Sequence, residues 1–329
     1  MGLKKYIVKR VIYMIVLIWA IITVNFLIFS MLPGNPLERY VASLRRIDEI
    51  RYNELKAHFG LDKPLHEQYI VSLRNMLTFN FGISFNSGTQ VSETIFSRKM
   101  PNTLLLLGLE SILSIIVGML LGVLVAYKRG GILDTGTVTF SLTMYSVPIF
   151  FIGWLVIFFF AVNLGWFPAG GTVPLEWGRY PPTNFLQIII GRLSYIALPT
   201  LTLFLFSFGG WVLLTRACVL ETITEDYVVT ARAKGLKERT VLYKHVLKNA
   251  SLPLITNVAL SFAFVVSGAT ITETLFSYDG IGLLTFSAIM NNDLPVLYAL
   301  FYVLALCVVA ANFIADLLYG VIDPRIRYG

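Results

Sequence analysis

An all-α, polytopic membrane protein with six spanning helices is the fold class the sequence predicts, and three observations predict it. Of 329 residues, 56% are hydrophobic and only 14% are charged, against roughly 25% charged in soluble domains. The apolar residues come in blocks long enough to cross a bilayer, which takes about 20 residues. The polar residues collect between those blocks, while the mean hydropathy stays at +0.74. The net charge of +7 comes with no arginine-rich or aromatic-interleaved stretch. No nucleic-acid partner is expected, and the excess reads as the basic loops that orient membrane helices.

The first span is Val11 to Met31, entered through Lys4, Lys5, Lys9 and Arg10. A basic start before an apolar run also fits a signal peptide. This run is long, however, and is followed by Pro33-Gly34-Asn35-Pro36 rather than a small-residue cleavage site, so an uncleaved helix is expected within 1–32. Residues 33–100 alternate charges with short helical patterns such as DEIRYNELKAHFGL and are expected to form a small helical lobe in water. Residues 101–329 hold a five-helix core. Its spans are Asn102 to Tyr127, Thr135 to Leu164, Ile196 to Leu214, Leu252 to Thr272 and Leu294 to Gly320. The second of these five is read as one span kinked at Pro148. A Gly/Pro-rich connection, GWFPAGGTVPLEWGRYPP, follows it, and Glu273 to Asn292 is read as a loop.

Lys and Arg near the ends of short loops set orientation. They gather at the N-terminus, at Lys128-Arg129, between Arg216 and Asn249, and at Arg325 and Arg327. The two short loops on the other side carry only Arg179 and Arg192. The 33–100 stretch is too long for the rule to count. Both termini and the 217–250 loop are therefore expected in the cytoplasm, with the lobe outside.

Within that loop stands DYVVTARAKGLKERT, Asp226 to Thr240. Thr222-Ile223-Thr224-Glu225 has capping-box spacing and predicts a helix start at Thr222. Gly235 predicts a left-handed stop, and a second helix over about Leu236 to Ala250 leads back to Pro253. Two short helices joined by a tight turn can dock into a cleft on another protein. They suit a solvated connector equally well, and residue physics alone leaves both open.

The stretch YVVTARAKGLKERTVLYKHVLKNASLPLIT resembles the cytoplasmic loop of ABC importer permeases, in the form found in the dipeptide/oligopeptide family. Thr230-Ala231-Arg232 stands where Glu-Ala-Ala is usual, with Gly235 and Leu252-Pro253 in place. GLDKPLHEQY, FNFGIS, MPNTLLL, ITETLFSYDGIGLL, NDLPVL and NFIADLLYGVIDPRIR extend the resemblance over nearly the whole chain. Asp279 departs from the proline common before Gly280, and Lys237 from the usual capping serine or aspartate.

The resemblance implies a type I ABC importer fold and a permease subunit of the cell membrane. Its implied partners are a second, similar permease, two cytoplasmic ATPases, an extracellular solute-binding protein and membrane lipid. It implies no cofactor on this chain, with ATP and Mg2+ on the ATPases. In agreement, the chain lacks the G-x-x-x-x-G-K-[ST] loop that cradles nucleotide phosphates. Tyr227, Thr230, Ala231, Arg232, Ala233, Lys234, Gly235 and Leu236 would then form the coupling helix. The 33–100 lobe would dock the binding protein or simply cap the pore.

Intramembrane ionisable groups carry a functional prior because burying charge is costly. Glu110 matches no family position and is left between a cavity role and a helix pairing. Asp316, beside Asn312, reads as an architectural hydrogen bond. Gly118 and Gly122 form a G-x-x-x-G that favours close helix packing, although the spacing also arises by chance. Ser146, Ser207, Ser261, Ser267, Thr270 and Thr272 are read as weakly polar pathway residues. Neither catalytic residues nor a metal site is expected: His58, His66 and His245 share no ligand spacing and lie outside the spans. Cys218 and Cys307 read as packing residues. A secondary transporter would show inverted repeats and midplane carboxylates; none is visible. A non-transporting scaffold leaves the basic loop unexplained. The family's substrates are peptides, with oligosaccharides and nickel complexes in relatives.

Overall fold

The computed structural model describes residues 3–31, 63–264 and 269–322. Regular structure among them is helical, apart from one isolated bridge between Ile83 and Gln90. The helices are α1 (Leu3–Ser30), α2 (Leu65–Leu77), α3 (Val91–Tyr127), α4 (Ile132–Ser146), α5 (Ile149–Asn163) and α6 (Phe185–Thr222). They continue with α7 (Asp226–Ala233), α8 (238–264), α9 (Thr270–Leu275), α10 (Ile281–Met290) and α11 (Leu294–Ile322). By length and composition, α1, α3, α6 and α11 can each cross a membrane, and α4 with α5 adds a fifth crossing if the pair counts as one. The expected span Leu252 to Thr272 falls partly on α8 and partly on 265–268, outside the described residues. So do Pro33 to Asp62 of the lobe, Ser267, and the tail with Arg325 and Arg327.

Three expectations about elements need correction. The kink at Pro148 is a break: α4 and α5 meet at 104°. Proline offers no N–H and forces the residue before it out of the helical region, and Val147 sits at φ −79°, ψ 130°. The Ile196 to Leu214 span is the middle of a longer helix, α6, which tolerates Pro199 in its interior. Its start lies at Asn184, whose Oδ1 accepts from Gln187 N at 2.8 Å while Gln187 Oε1 accepts from Thr183 N at 3.1 Å. Finally, Glu273 to Asn292 is no open loop. It contains α10, and Glu273 is fully buried.

The chain divides into two compact units. One combines α1, α2, the first part of α3, α10 and α11. There α1 lies along α11, and α2 lies on α1. Its core holds Ile22, Met76, Phe81, Ile95, Ala299 and Tyr302. Polar atoms close the seams: Asn25 Nδ2 donates to Tyr298 O at 3.0 Å, and Ser72 bonds the Tyr298 hydroxyl. The described part of the expected lobe packs on α1 and α11. At Asn292, φ is +54°. Asp293 N reaches back to Ala288 O at 2.9 Å, so asparagine closes α10 in a left-handed cap. That turn aims the buried Asp293 carboxylate at Phe85 N (3.0 Å), Asn86 N (3.1 Å) and the Ser84 hydroxyl. It pins the 84–86 turn to the start of α11.

The second unit runs from Leu105 through α8 and includes Ile271–Tyr278. Here α6 is the hub, packed by α4, α5 and α8. Small residues let backbones approach, as lipid-embedded packing requires. At Gly209 an added Cβ would lie 2.9 Å from Ser141 O. The start of α4 is tied to α6 by a bidentate pair: Arg216 Nε to Asp134 Oδ1 at 2.7 Å and Nη2 to Oδ2 at 3.0 Å. Gly130 N adds 2.9 Å to Oδ2. Asp134 is buried, so Asp134→Ala strands a guanidinium that is itself largely covered. Breaking such a pair costs about 3–5 kcal/mol when fully buried. The expected result is a clear drop in the detergent-solubilised protein's unfolding temperature, larger than that of the double variant Asp134→Ala/Arg216→Met. Equal drops would remove the stranded-charge explanation.

Candidate functional site

The 217–250 segment forms a helical hook on the second unit. Thr222 does not start it. The residue ends α6, and its Oγ1 donates to Cys218 O at 2.8 Å. The new helix, α7, begins at Asp226 after Glu225 in extended conformation. A capping serine or threonine needs extended backbone; Thr222 is still helical, which is why the spacing misled.

α7 is short, yet its two faces differ. Val228 and Ala231 are buried in a cluster with Ala126, Cys218, Val219, Val241 and Leu254. Tyr227, Val229, Thr230, Arg232, Ala233, Lys234 and Leu236 are exposed, Val229 at 57%. Of the eight expected coupling residues, Ala231 therefore faces inward, and Val229, not among them, is the most exposed of the large hydrophobic side chains on α7. A one-residue shift in helix phase decides this, and sequence spacing alone could not locate the core.

Gly235 sits at φ +73°. Its N–H bonds Arg232 O at 2.9 Å, turning the chain directly into α8. Lys237, at the position preceding α8, makes no side-chain cap. An ion pair joins the two helices instead: Arg232 Nη2 to Glu238 Oε1 at 2.6 Å. The Arg232 guanidinium holds the Glu238 carboxyl below its ordinary value of 4.5 and is itself raised in return. Because the carboxyl is depressed in the fold, the pair's contribution is complete above about pH 4.5. It is lost as pH falls through the lower, folded value. Both groups are partly exposed, so the contribution is about 0.2–1 kcal/mol. The protection of the 226–240 amides, taken relative to the intrinsic exchange rate at each pH, should therefore fall on acidification in the native chain. In Glu238→Gln it should change less over the same window; identical pH dependence in the two would dismiss the pair.

The other expected residues are dispersed. Glu110 is buried, and its Oε1 accepts from Ser114 Oγ at 2.7 Å and from Ser207 Oγ. The carboxylate thus joins α3 to α6, and Ser207 is its partner. Ser146 is exposed and bonds Leu142 O at 2.8 Å; Ser261 bonds Val258 O at 2.8 Å. The bonds of Ser146, Ser207 and Ser261 run to their own helices or, from Ser207, to Glu110 and Ser114 on α3, rather than to one another. Thr272 is buried and Thr270 half-buried. Asn312 is exposed on α11, and the Asp316 side chain lies outside what is described. Gly118 and Gly122 face α6 directly: added Cβ atoms would lie 2.9 Å from Phe208 O and 2.8 Å from Val212 O. Among the described residues no cluster of His, Cys, Asp and Glu could hold a metal ion.

Residues 118–328 match the family described as binding-protein-dependent transport system inner membrane component, and residues 3–107 match the N-terminal region of such membrane components. The chain is 36% identical over 323 residues to a probable peptide ABC transporter permease protein of Sinorhizobium fredii, covering 98% of this chain and 99% of that one. It is 34% identical over 333 residues to a di/tripeptide transport system permease protein of Pseudomonas aeruginosa, at 98% of both chains. To an oligopeptide transport system permease protein of Bacillus subtilis it is 36% identical over 324 residues, covering 98% and 99%.

Proposed function

The chain belongs to the family of binding-protein-dependent transport system inner membrane components, and on that premise we propose that it is the permease subunit of an ATP-driven ABC importer of di- and oligopeptides. One observation carries the substrate class: relatives aligned along essentially the full length of both chains are named as peptide, di/tripeptide and oligopeptide permeases. The hook supplies the mechanical part. An exposed helix with a rigid glycine turn, rooted between α6 and α8, passes movement of a docked partner into two long helices.

In this reading the chain crosses the membrane six times, with both termini and the hook in the cytoplasm. The 33–100 region lies outside, where it meets the binding protein. Two ATPases carry ATP and Mg2+, and closure of their dimer shifts an inward-open to outward-open equilibrium. A second permease completes the pathway. Exposed Tyr227, Val229, Lys234 and Leu236 form the socket-facing surface. Weakly polar helix hydroxyls suit a pathway that passes its cargo on rather than holding it.

The test is reconstitution in proteoliposomes with the second permease, the ATPases and the binding protein. Uptake of labelled peptide should require ATP and binding protein and should exceed uptake of labelled oligosaccharide. Uptake driven by an ion gradient without ATPases would overturn the class. Preference for oligosaccharide would overturn the substrate.

A further inference from the structure

α6 is longer than a span needs. Its 38 residues rise about 57 Å at 1.5 Å each, whereas the hydrocarbon layer is about 30 Å thick. Because charge is costly in hydrocarbon, the Arg216–Asp134 ion pair sets one edge of that layer. About 20 residues back stands Ile196, and there the packing changes: Ile196, Leu198, Pro199 and Thr200 are buried, while no residue from 185 to 195 is. The first turns of α6 therefore extend past the unit's core, at the level of the lipid headgroups.

Those turns keep an apolar face. Phe185, Leu186, Ile189, Ile190 and Leu193 share one side of the helix, exposed from 37% at Ile189 to 76% at Phe185. The other side is covered by the chain's own Gly/Pro-rich connection. A Cβ on Gly191 would overlap the Trp177 ring, and one on Gly171 would meet the Tyr195 ring at 3.0 Å. Gly171 N fastens the connection to Phe276 O at 2.8 Å. The uncovered strip is thus held in place. Beside it the connection exposes Trp166 and Tyr180 at 64% and 68%. Arg179 and Arg192 are exposed, and Glu176 is the one carboxylate between 165 and 193.

We infer that residues 165–193 form an interfacial foot whose occupant is phospholipid. The apolar strip enters the headgroup–acyl boundary, Trp166 and Tyr180 sit at headgroup level, and Arg179 and Arg192 face lipid phosphates. Apolar faces flanked by amphipathic rings and cationic side chains partition to that boundary, and the length of α6 puts the strip there. Such a foot braces α6, the hub of its unit, against the membrane. The inference needs only a membrane-embedded chain and is independent of the substrate.

The experiment uses the full chain in phosphatidylglycerol/phosphatidylcholine nanodiscs, with Cys218→Ala and Cys307→Ala, and spin labels at Leu186→Cys or Ile190→Cys. Lys234→Cys serves as the water reference and Leu120→Cys as the acyl-chain reference. Power saturation should show collision with a nickel chelate several-fold below the water reference. Collision with oxygen should be several-fold above it, at a depth shallower than position 120. Nickel accessibility equal to that at position 234 overturns the inference. Loss of both collisions on forming the whole transporter also overturns it, because the strip is then a protein interface. Arg179→Gln with Arg192→Gln should reduce the retained phosphatidylglycerol relative to phosphatidylcholine; an unchanged ratio overturns the phosphate assignment.

Discussion

Gly122→Leu is expected to destroy the packing of α3 on α6, whereas Gly108→Leu on the same helix is expected to be tolerated. A Cβ at Gly122 would stand 2.6 Å from Thr215 Cβ and 2.8 Å from Val212 O. Around Gly108 nothing lies within 4 Å. Overpacking typically costs about 1–3 kcal/mol when side chains can yield. Here one obstacle is a backbone carbonyl of the unit's hub helix, so relief requires moving the helices apart. Separation would also stretch the Glu110–Ser207 contact two turns or more along the same seam. The comparison is made by size-exclusion profile and unfolding temperature in one detergent. Loss of the monodisperse peak in Gly122→Leu with a near-native Gly108→Leu is the expected outcome. Equal behaviour of the two would mean that the close approach is not what holds the helices.

The second large effect is expected at Gly235, on coupling rather than on folding. Its φ of +73° costs an ordinary residue about 1–2 kcal/mol, more for a β-branched one, while asparagine adopts it readily. No atom lies within 4 Å of an added Cβ, so the penalty is purely one of backbone. Gly235→Val should swing α7 away from its seat and reduce ATP-driven peptide uptake to background while the chain still inserts. Gly235→Asn should retain most of the uptake. Native uptake in Gly235→Val would end the coupling role of the turn. Equal loss in both variants would mean that the partner requires bare backbone at this point. Ala231→Glu is unsuitable for the same purpose, because Ala231 is buried in the hook's own core and a charge there unfolds the hook before it tests docking. Val229→Asp, on the exposed face, tests the surface without disturbing that core.

The sequence by itself determined the class of molecule, because long apolar blocks have few fates besides membrane helices, and it located the hook, because a polar, glycine-stopped segment between such blocks must leave the lipid. It also identified Gly235 as a left-handed stop, since that conformation strongly favours glycine over other residue types. What only the tertiary structure decided depends on which side of a helix meets another. Phase turned Ala231 inward and Val229 outward, made Gly118 and Gly122 a true contact with α6, and gave Glu110 a serine partner 97 positions away in the chain. In these cases local propensity is nearly balanced, and the outcome is set by partners far away in sequence, whose positions no local pattern records.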